Sequence, residues 1–210
     1  MLQRRACFRW SLVIALGVLV SGCASMDEDE CRTADWWAIG YEDGVKGVAS
    51  SYIAERRVAC ADHGVTPDLA AYREGRNEGL REYCTPASGF RLGRKGRALT
   101  AVCPSELEGD FRDAYKSGRE IYQAASVVRK TSSTLERRKR ELSDVRASLT
   151  SKTSELIVPS TATERRIELL VEIQELSSRK QKLQDEISRL STELNRHRDE
   201  LAALEHASAY

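Results

Sequence analysis

The sequence predicts an all-α protein, with a small disulfide-stapled helical head whose last helix extends into a C-terminal coiled-coil helical hairpin. Apolar residues recur at every seventh position between residues 114 and 156, which is the repeat of a helix packed along a partner helix. A second apolar series, with steps alternating between four and three, runs from residue 169 to residue 204. Four cysteines between residues 31 and 103 form an even set, as is typical of small exported domains.

The N-terminus resembles the signal of bacterial lipoproteins. Three arginines precede an apolar run, Trp10 to Val20, that is too short to span a bilayer. The run ends in Val20-Ser21-Gly22-Cys23, which is similar to a lipobox. We therefore expect residues 1–22 to be a signal peptide and Cys23 to carry the lipid. An uncleaved anchor, or a signal that is cut elsewhere, is the alternative.

The residues after Cys23 bear on localisation and on partners. They are Ala24 and Ser25 and not Asp, which by resemblance to Gram-negative sorting favours the outer membrane, facing the periplasm. Without residues 1–22, Lys+Arg falls from 33 to 30 against 32 Asp+Glu, so the net charge becomes negative. Such a chain has no bulk attraction to nucleic acid. The expected partners are the membrane, through the lipid anchor, and a periplasmic protein.

Residues 23–32 are predicted to be a lipidated acidic tether and residues 33–126 the head. The four adjacent carboxylates of residues 27–30 favour a solvated segment, since a calcium loop needs alternate spacing. One continuous helix is predicted from Thr33 to about residue 60, and Thr66-Pro67 predicts the start of a second helix that ends near Tyr83. Residues 84–103 are rich in glycine, which predicts an irregular loop or a broken helix.

A long helix is predicted from Ser105 to Leu156. Ser105-x-x-Glu108 has the pattern of a capping box at its start. Its length would be roughly 75–80 Å. The heptad positions are Ala114, Ile121, Val128, Leu135, Leu142, Leu149 and Leu156.

An aromatic residue and a glycine three positions later recur four times in the head. The copies begin at Tyr41, Tyr72, Phe90 and Tyr115, and an arginine follows the glycine in the last three. Because both residues share one helix face, we expect close packing between helices. The alternative is a ligand groove lined by Tyr41, Tyr72, Arg76, Phe90, Arg94, Tyr115 and Arg119.

Each copy follows one cysteine: Cys31, Cys60, Cys84 and Cys103. Disulfides are predicted, with a zinc site that includes Cys60-x-x-His63 as the alternative. If residues 33–60 form one helix, Cys31 and Cys60 lie roughly 40 Å apart, which is too far for a bond. Cys60 and Cys84 likewise bracket the second helix, so the pairing that remains is Cys31–Cys84 with Cys60–Cys103. A break near Gly44 or Gly47 would restore the Cys31–Cys60 pairing.

Residues 31–125 resemble the domain-of-unknown-function 2799 family, which is found in bacterial lipoproteins. The resemblance is carried by Cys31, Asp35-Trp36, Gly40-Tyr41-x-Asp43-Gly44, Cys60, His63-Gly64-Val65, Tyr72-x-x-Gly75-Arg76, Cys84, Gly89-Phe90, Cys103 and Phe111-x-x-Ala114-Tyr115-x-x-Gly118-Arg119. It implies a helical lipoprotein with paired cysteines. The family has no established activity, so the resemblance assigns no catalytic residue.

Residues 127–210 are predicted to form the coiled-coil hairpin, with a turn near residues 157–163 around Pro159. Lys180 and His197 fall in the second apolar series, where we expect polar residues to control register. A hairpin within one chain is favoured because the turn suits adjacent helices. A homodimer is the alternative.

The sequence contains no Ser, His and Asp cluster and no phosphate loop, so we expect no enzyme and no catalytic, cofactor or metal site. The predicted function is that of a lipid-anchored envelope protein that acts as a structural and interaction module through its hairpin. The alternative is a module that binds a cell-wall glycan or peptide with the Tyr and Arg positions of the head.

Overall fold

The structure, a computed structural model, describes residues 26–208, and over these residues it contains helices and no strand. The predicted all-α class is confirmed. The predicted signal peptide and Cys23 lie outside the described residues. The helices are α1 (Glu28–Thr33), α2 (Trp36–Val45), α3 (Ile53–Ala61), α4 (Leu69–Tyr83), α5 (Pro86–Arg94), α6 (Ser105–Leu156) and α7 (Thr163–Ala207), with a short 3₁₀ helix at Ser50–Tyr52.

The chain divides into two compact units, the first ending at Leu80 and the second beginning at Arg81. The boundary falls inside α4. The reason lies in the second unit, where α6 packs against both α5 and α7. Among the described residues, no helix has the length and apolarity needed to cross a membrane.

The acidic segment near the N-terminus is not a tether throughout, because α1 begins at Glu28. The carboxylate of Asp27 accepts a hydrogen bond from the backbone N–H of Glu30 at 2.8 Å, and the Glu30 carboxylate accepts one from the Asp27 N–H at 3.0 Å. This capping box satisfies two N–H groups that a helix start leaves free. Acidic residues in a first turn also interact favourably with the helix dipole.

The predicted continuous helix from residue 33 to residue 60 is wrong, because α2 ends at Val45. Gly47 adopts a positive φ of 66°, and the Val48 N–H bonds back to the Asp43 carbonyl at 2.9 Å. Such a left-handed glycine after the last turn is a common way for a helix to end. The chain then turns through the 3₁₀ helix into α3.

This break decides the disulfides, which join Cys31 to Cys60 and Cys84 to Cys103. All four cysteines take part, but the predicted pairing of Cys31 with Cys84 and of Cys60 with Cys103 is wrong. Since α2 and α3 fold back on each other, the Cα atoms of Cys31 and Cys60 are 5.5 Å apart. The bonded sulfurs leave no thiolate for the zinc alternative.

Two helix starts differ from the predictions. Helix α4 begins at Leu69 and not at Pro67, because the Asp68 carboxylate accepts the N–H groups of Ala70 and Ala71, each at 3.0 Å. Helix α6 begins at Ser105 as predicted, but Pro104 occupies the cap position and no side chain caps it. Between the second pair of cysteines, α5 forms behind a Thr85 cap, which agrees with the broken-helix alternative.

The long helices α6 and α7 form the predicted hairpin within one chain. Near the closed end Leu142 and Val145 pack with Leu183, and farther along Leu135 packs with Leu190 and Leu194. At the open end the apolar contacts continue into the head, where Leu201 and Leu204 pack on the cluster of Phe90, Ala114 and Ile121. The interior of the second unit therefore has no break where the hairpin begins.

Candidate functional site

Glycines bring α2 and α4 together in the first unit. A Cβ atom added to Gly40 or Gly44 would overlap the backbone of α4 at Tyr72 or Arg76, and one added to Gly75 or Gly79 would overlap the backbone of α2. The two backbones are thus in direct contact, which only residues without a Cβ permit. The close packing expected from the aromatic-glycine repeat is found here.

The second unit repeats this arrangement with α5 and α6. A Cβ atom on Gly93 would overlap the backbone of α6 at Tyr115, and one on Gly118 would overlap the backbone of α5 at Phe90. Here too the preceding helix ends at a glycine with positive φ, Gly96 at 69°. The four aromatic-glycine copies are therefore two helix pairs, each with its own disulfide.

Sequence reasoning found the four copies but missed that they form two pairs, although a signal was present. Cys60 and Cys103 are as far apart in the sequence as Tyr72 and Tyr115, and as Arg76 and Arg119. The constant separation marks a duplicated segment of one cysteine followed by one helix. The copies on α2 and α5, and the cysteines Cys31 and Cys84 that precede them, lie at other separations, which hid the relationship.

The seven residues predicted to line a groove fall into both units. In the first unit, Tyr72 and Arg76 are buried, and the Tyr41 ring stacks on Trp37 with centroids 5.4 Å apart. In the second unit, Phe90 is buried in the cluster with Ala114 and Ile121. The other three make polar contacts: Arg94 with Glu205 at 2.7 Å, the Tyr115 hydroxyl with the Arg97 carbonyl at 2.9 Å, and Arg119 with the Tyr122 ring.

A buried carboxylate links three helices of the first unit. Asp43 of α2 is 4% exposed and accepts a hydrogen bond from the Tyr72 hydroxyl of α4 at 2.8 Å. Arg56 of α3 donates to both carboxylate oxygens, at 2.6 and 3.2 Å. Burial, followed by the hydrogen bond to Asp43, raises the pKa of Tyr72 to about 12. The network is satisfied from both sides, so it holds α2, α3 and α4 in register.

The closed end of the hairpin presents an exposed apolar surface, which we call the tip surface. Its members are Ile157, Val158, Ile167, Leu170 and Val171, whose exposed fractions range from 43% to 75%. The last three have helical spacing i, i+3 and i+4, so they share one face of α7. That face differs from the seam, where Leu169 is fully buried. Exposed apolar side chains that lie together are a common feature of interaction sites.

The turn that carries the tip surface is held by its own hydrogen bonds. Arg166 donates to the carbonyl oxygens of Val158, Pro159 and Thr161 at 3.1–3.3 Å. The Thr161 hydroxyl donates to the Glu155 carbonyl at 2.8 Å. Since these bonds satisfy carbonyl groups at the end of α6, the turn presents Ile157 and Val158 in a fixed position.

Metal ligands are not grouped in the part of the chain that the structure describes, where no set of three His, Cys, Asp or Glu side chains could hold an ion. His197 of α7 lies 3.2 Å from the Glu200 carboxylate of the same helix. It is half-buried, and its control of the register of the hairpin stays a prediction.

The comparison with protein families concerns the two disulfide-bonded helix pairs. Residues 35–120 match the model of DUF2799, described as a protein of unknown function. This match supports the predicted resemblance to the family. Its range begins just before α2 and ends within α6, so the matched segment contains both glycine contacts. Searches of curated proteins and of solved structures returned no match.

Proposed function

We propose that the chain is a lipid-anchored protein of the bacterial cell envelope that acts as a structural and interaction module through its helical hairpin. The observation that carries this proposal is the tip surface, five exposed apolar side chains on the hydrogen-bonded turn and on the first turns of α7. A two-helix hairpin with exposed apolar side chains at its closed end is suited to binding another protein. The resemblance to a lipobox at Cys23 supports a lipid anchor, and Ala24 and Ser25 after it support the outer membrane.

The occupant of the tip surface is another envelope protein, in whose apolar groove the first turns of α7 would lie. Ile167, Leu170 and Val171 have the i, i+3, i+4 spacing of helices that bind in grooves. A second copy of this chain is the alternative occupant, and the crosslinking experiment below distinguishes the two.

Crosslinking in the cell tests the docking proposal. A photoreactive amino acid at Leu170 should form an adduct with one other protein, whereas the same amino acid at the exposed polar Ser178 of α7 should not. In the background of Val171→Glu the adduct at Leu170 should be lost while helix content is unchanged. Adducts only with a second copy would replace the partner by a homodimer, and adducts that survive Val171→Glu would refute the docking surface.

Metabolic labelling with a radioactive fatty acid tests the anchor separately. The natural chain should incorporate label and sediment with outer membranes, and Cys23→Ser should abolish both. A control substitution, Cys7→Ser within the signal segment, should leave the label in place. Label that persists in Cys23→Ser would rule out the lipobox.

A further inference from the structure

A cavity of about 280 Å³ opens in the first unit between the 3₁₀ helix, α3 and α4. The described residues that line it include three arginines, Arg57, Arg73 and Arg76, and none that is acidic. The remaining lining is mixed, with Asn77 as a polar amide and Ile53 and the Tyr72 ring as apolar surface. Three positive charges around one small cavity repel one another unless an anion lies between them.

Arg76 is the buried member of the three, being 9% exposed. Its Nη2 donates to the Val48 carbonyl at 2.9 Å, but its buried Nε has no hydrogen-bond partner. No ion pair joins Arg76 to a carboxylate within residues 26–208. The nearby Asp43 is occupied by Arg56 and Tyr72. A buried guanidinium without an anionic partner is costly, so the site lacks a compensating negative charge.

The other two arginines lie at the mouth of the cavity. Arg57 of α3 and Arg73 of α4 are exposed, and neither forms an ion pair with any described residue. Arg73 and Arg76 are three positions apart, so they share a face of α4. The cavity is therefore approached between two free guanidinium groups and ends near a buried third.

We propose that this cavity binds the phosphate group of a small anionic ligand. Guanidinium groups bind phosphate with paired hydrogen bonds. A phosphate monoester carries nearly two negative charges at neutral pH, which suits three arginines better than a single carboxylate does. The cavity is slightly smaller than the usual range of ligand sites, roughly 300–1,000 Å³. It therefore fits a phosphate with a short organic group, which Ile53 and the Tyr72 ring would contact.

The phosphate could belong to a soluble ester or to a phospholipid headgroup, and both present the same chemistry to the arginines. The inference is independent of the hairpin function, since every lining residue belongs to the first unit. Arg119, the equivalent of Arg76 in the second unit, also has a buried nitrogen without a hydrogen-bond partner, Nη1. It differs from Arg76 in being only half-buried, with its guanidinium over the Tyr122 ring.

Calorimetric titration of the full chain with glycerol phosphate and with inorganic phosphate tests the proposal. Saturable binding is expected, which weakens as sodium chloride is added because the contacts are ionic. Arg57→Gln and Arg73→Gln should each reduce the affinity roughly tenfold, the effect of removing a hydrogen bond to a charged group. The matched control is Arg198→Gln, an exposed arginine of α7 with the same charge change, which should bind like the natural chain.

Vesicles distinguish the two sources of phosphate. If only vesicles that contain phosphatidylglycerol bind, and Arg73→Gln weakens that binding while Arg198→Gln does not, the phosphate is that of a lipid headgroup. The proposal would be overturned if no phosphate probe bound at concentrations up to about 10 mM. It would also be overturned if Arg57→Gln, Arg73→Gln and Arg198→Gln bound phosphate equally well, or if succinate bound more tightly than glycerol phosphate. Circular dichroism confirms that each variant keeps its helix content.

Discussion

Gly118 of α6 lies against the carbonyl group of Phe90 in α5, so closely that a Cβ atom at residue 118 would overlap that oxygen. Nine residues earlier on the same helix, Gly109 has no heavy atom within 4 Å of the equivalent position. The two glycines of α6 thus differ in whether there is space for a methyl group.

Gly118→Ala should destabilise the second unit and Gly109→Ala should not. The methyl group at residue 118 forces two backbones apart, at a cost of about 1–3 kcal/mol, typical of overpacking. At residue 109 it enters open space and stabilises the helix by roughly 0.5–1 kcal/mol. Urea unfolding followed by circular dichroism measures both. Equal effects would show that the helices are not in contact at Gly118.

The disulfide pattern predicts specific products on proteolysis without reduction. Mass spectrometry should recover fragments that link Cys31 to Cys60 and Cys84 to Cys103. Cys60→Ser should leave Cys31 as a free thiol, keep the second bond, and lower the free energy of unfolding by about 2–5 kcal/mol. The matched change, Cys103→Ser, should free Cys84 alone. A fragment linking Cys31 to Cys84 would contradict the pattern.

The raised pKa of Tyr72 predicts a loss of stability at high pH. Its pKa of about 12 in the folded chain exceeds the ordinary value of 10.0, so the folded state holds the proton more tightly. This stabilisation is complete below pH 10 and disappears as the pH rises through 12. The difference between the tyrosinate absorbance titrations of the natural chain and of Tyr72→Phe should therefore have its midpoint near 12.

Tyr72→Phe should also lower the free energy of unfolding at neutral pH by about 1 kcal/mol, since the hydrogen bond to Asp43 is lost. The control is Tyr122→Phe, because its hydroxyl makes no hydrogen bond to any described residue. A midpoint near 10 for Tyr72 would mean that its hydroxyl does not meet the Asp43 carboxylate.

Leu183→Ala should destabilise the hairpin far more than Leu170→Ala. Leu183 is buried against Leu142 and Val145, and truncating such a side chain costs about 2–5 kcal/mol. Leu170 is 56% exposed, so its truncation should change stability by less than about 0.5 kcal/mol. The melting temperature of the natural chain should not depend on its concentration, because the hairpin forms within one chain. A concentration-dependent midpoint would indicate a dimer.

The long helices could be predicted from the sequence, whereas the first unit could not. Heptad spacing from Ala114 to Leu156 predicted one long helix, and the pattern Ser105-x-x-Glu108 predicted its start, and both bounds agree with α6. Residues 36–53 also have apolar residues at helical spacing, but Gly47 ends α2 within that pattern. A glycine inside a periodic series is compatible with both outcomes. The predicted disulfide pairing was wrong because it assumed that the helix continues through Gly47.

The candidate sites were only partly accessible to sequence reasoning. Tyr72 and Arg76 were singled out from the repeat, and they line the cavity of the first unit. Arg57 and Arg73 were missed because they belong to no repeat and meet only after α3 folds back towards α4. The tip surface was missed because Ile167, Leu170 and Val171 lie next to the heptad series. Their apolar side chains cannot be told apart from those of the hairpin seam in the sequence.

Each disulfide joins two cysteines that are neighbours in the order of the sequence, 29 and 19 residues apart. When such a chain enters an oxidising compartment with its N-terminus first, Cys60 is the next thiol that Cys31 meets, and Cys84 and Cys103 follow as a second couple. Oxidation in the order of arrival therefore gives the native bonds. If the chain is exported as we propose, we expect an oxidant alone to form the native bonds, without rearrangement by a disulfide isomerase.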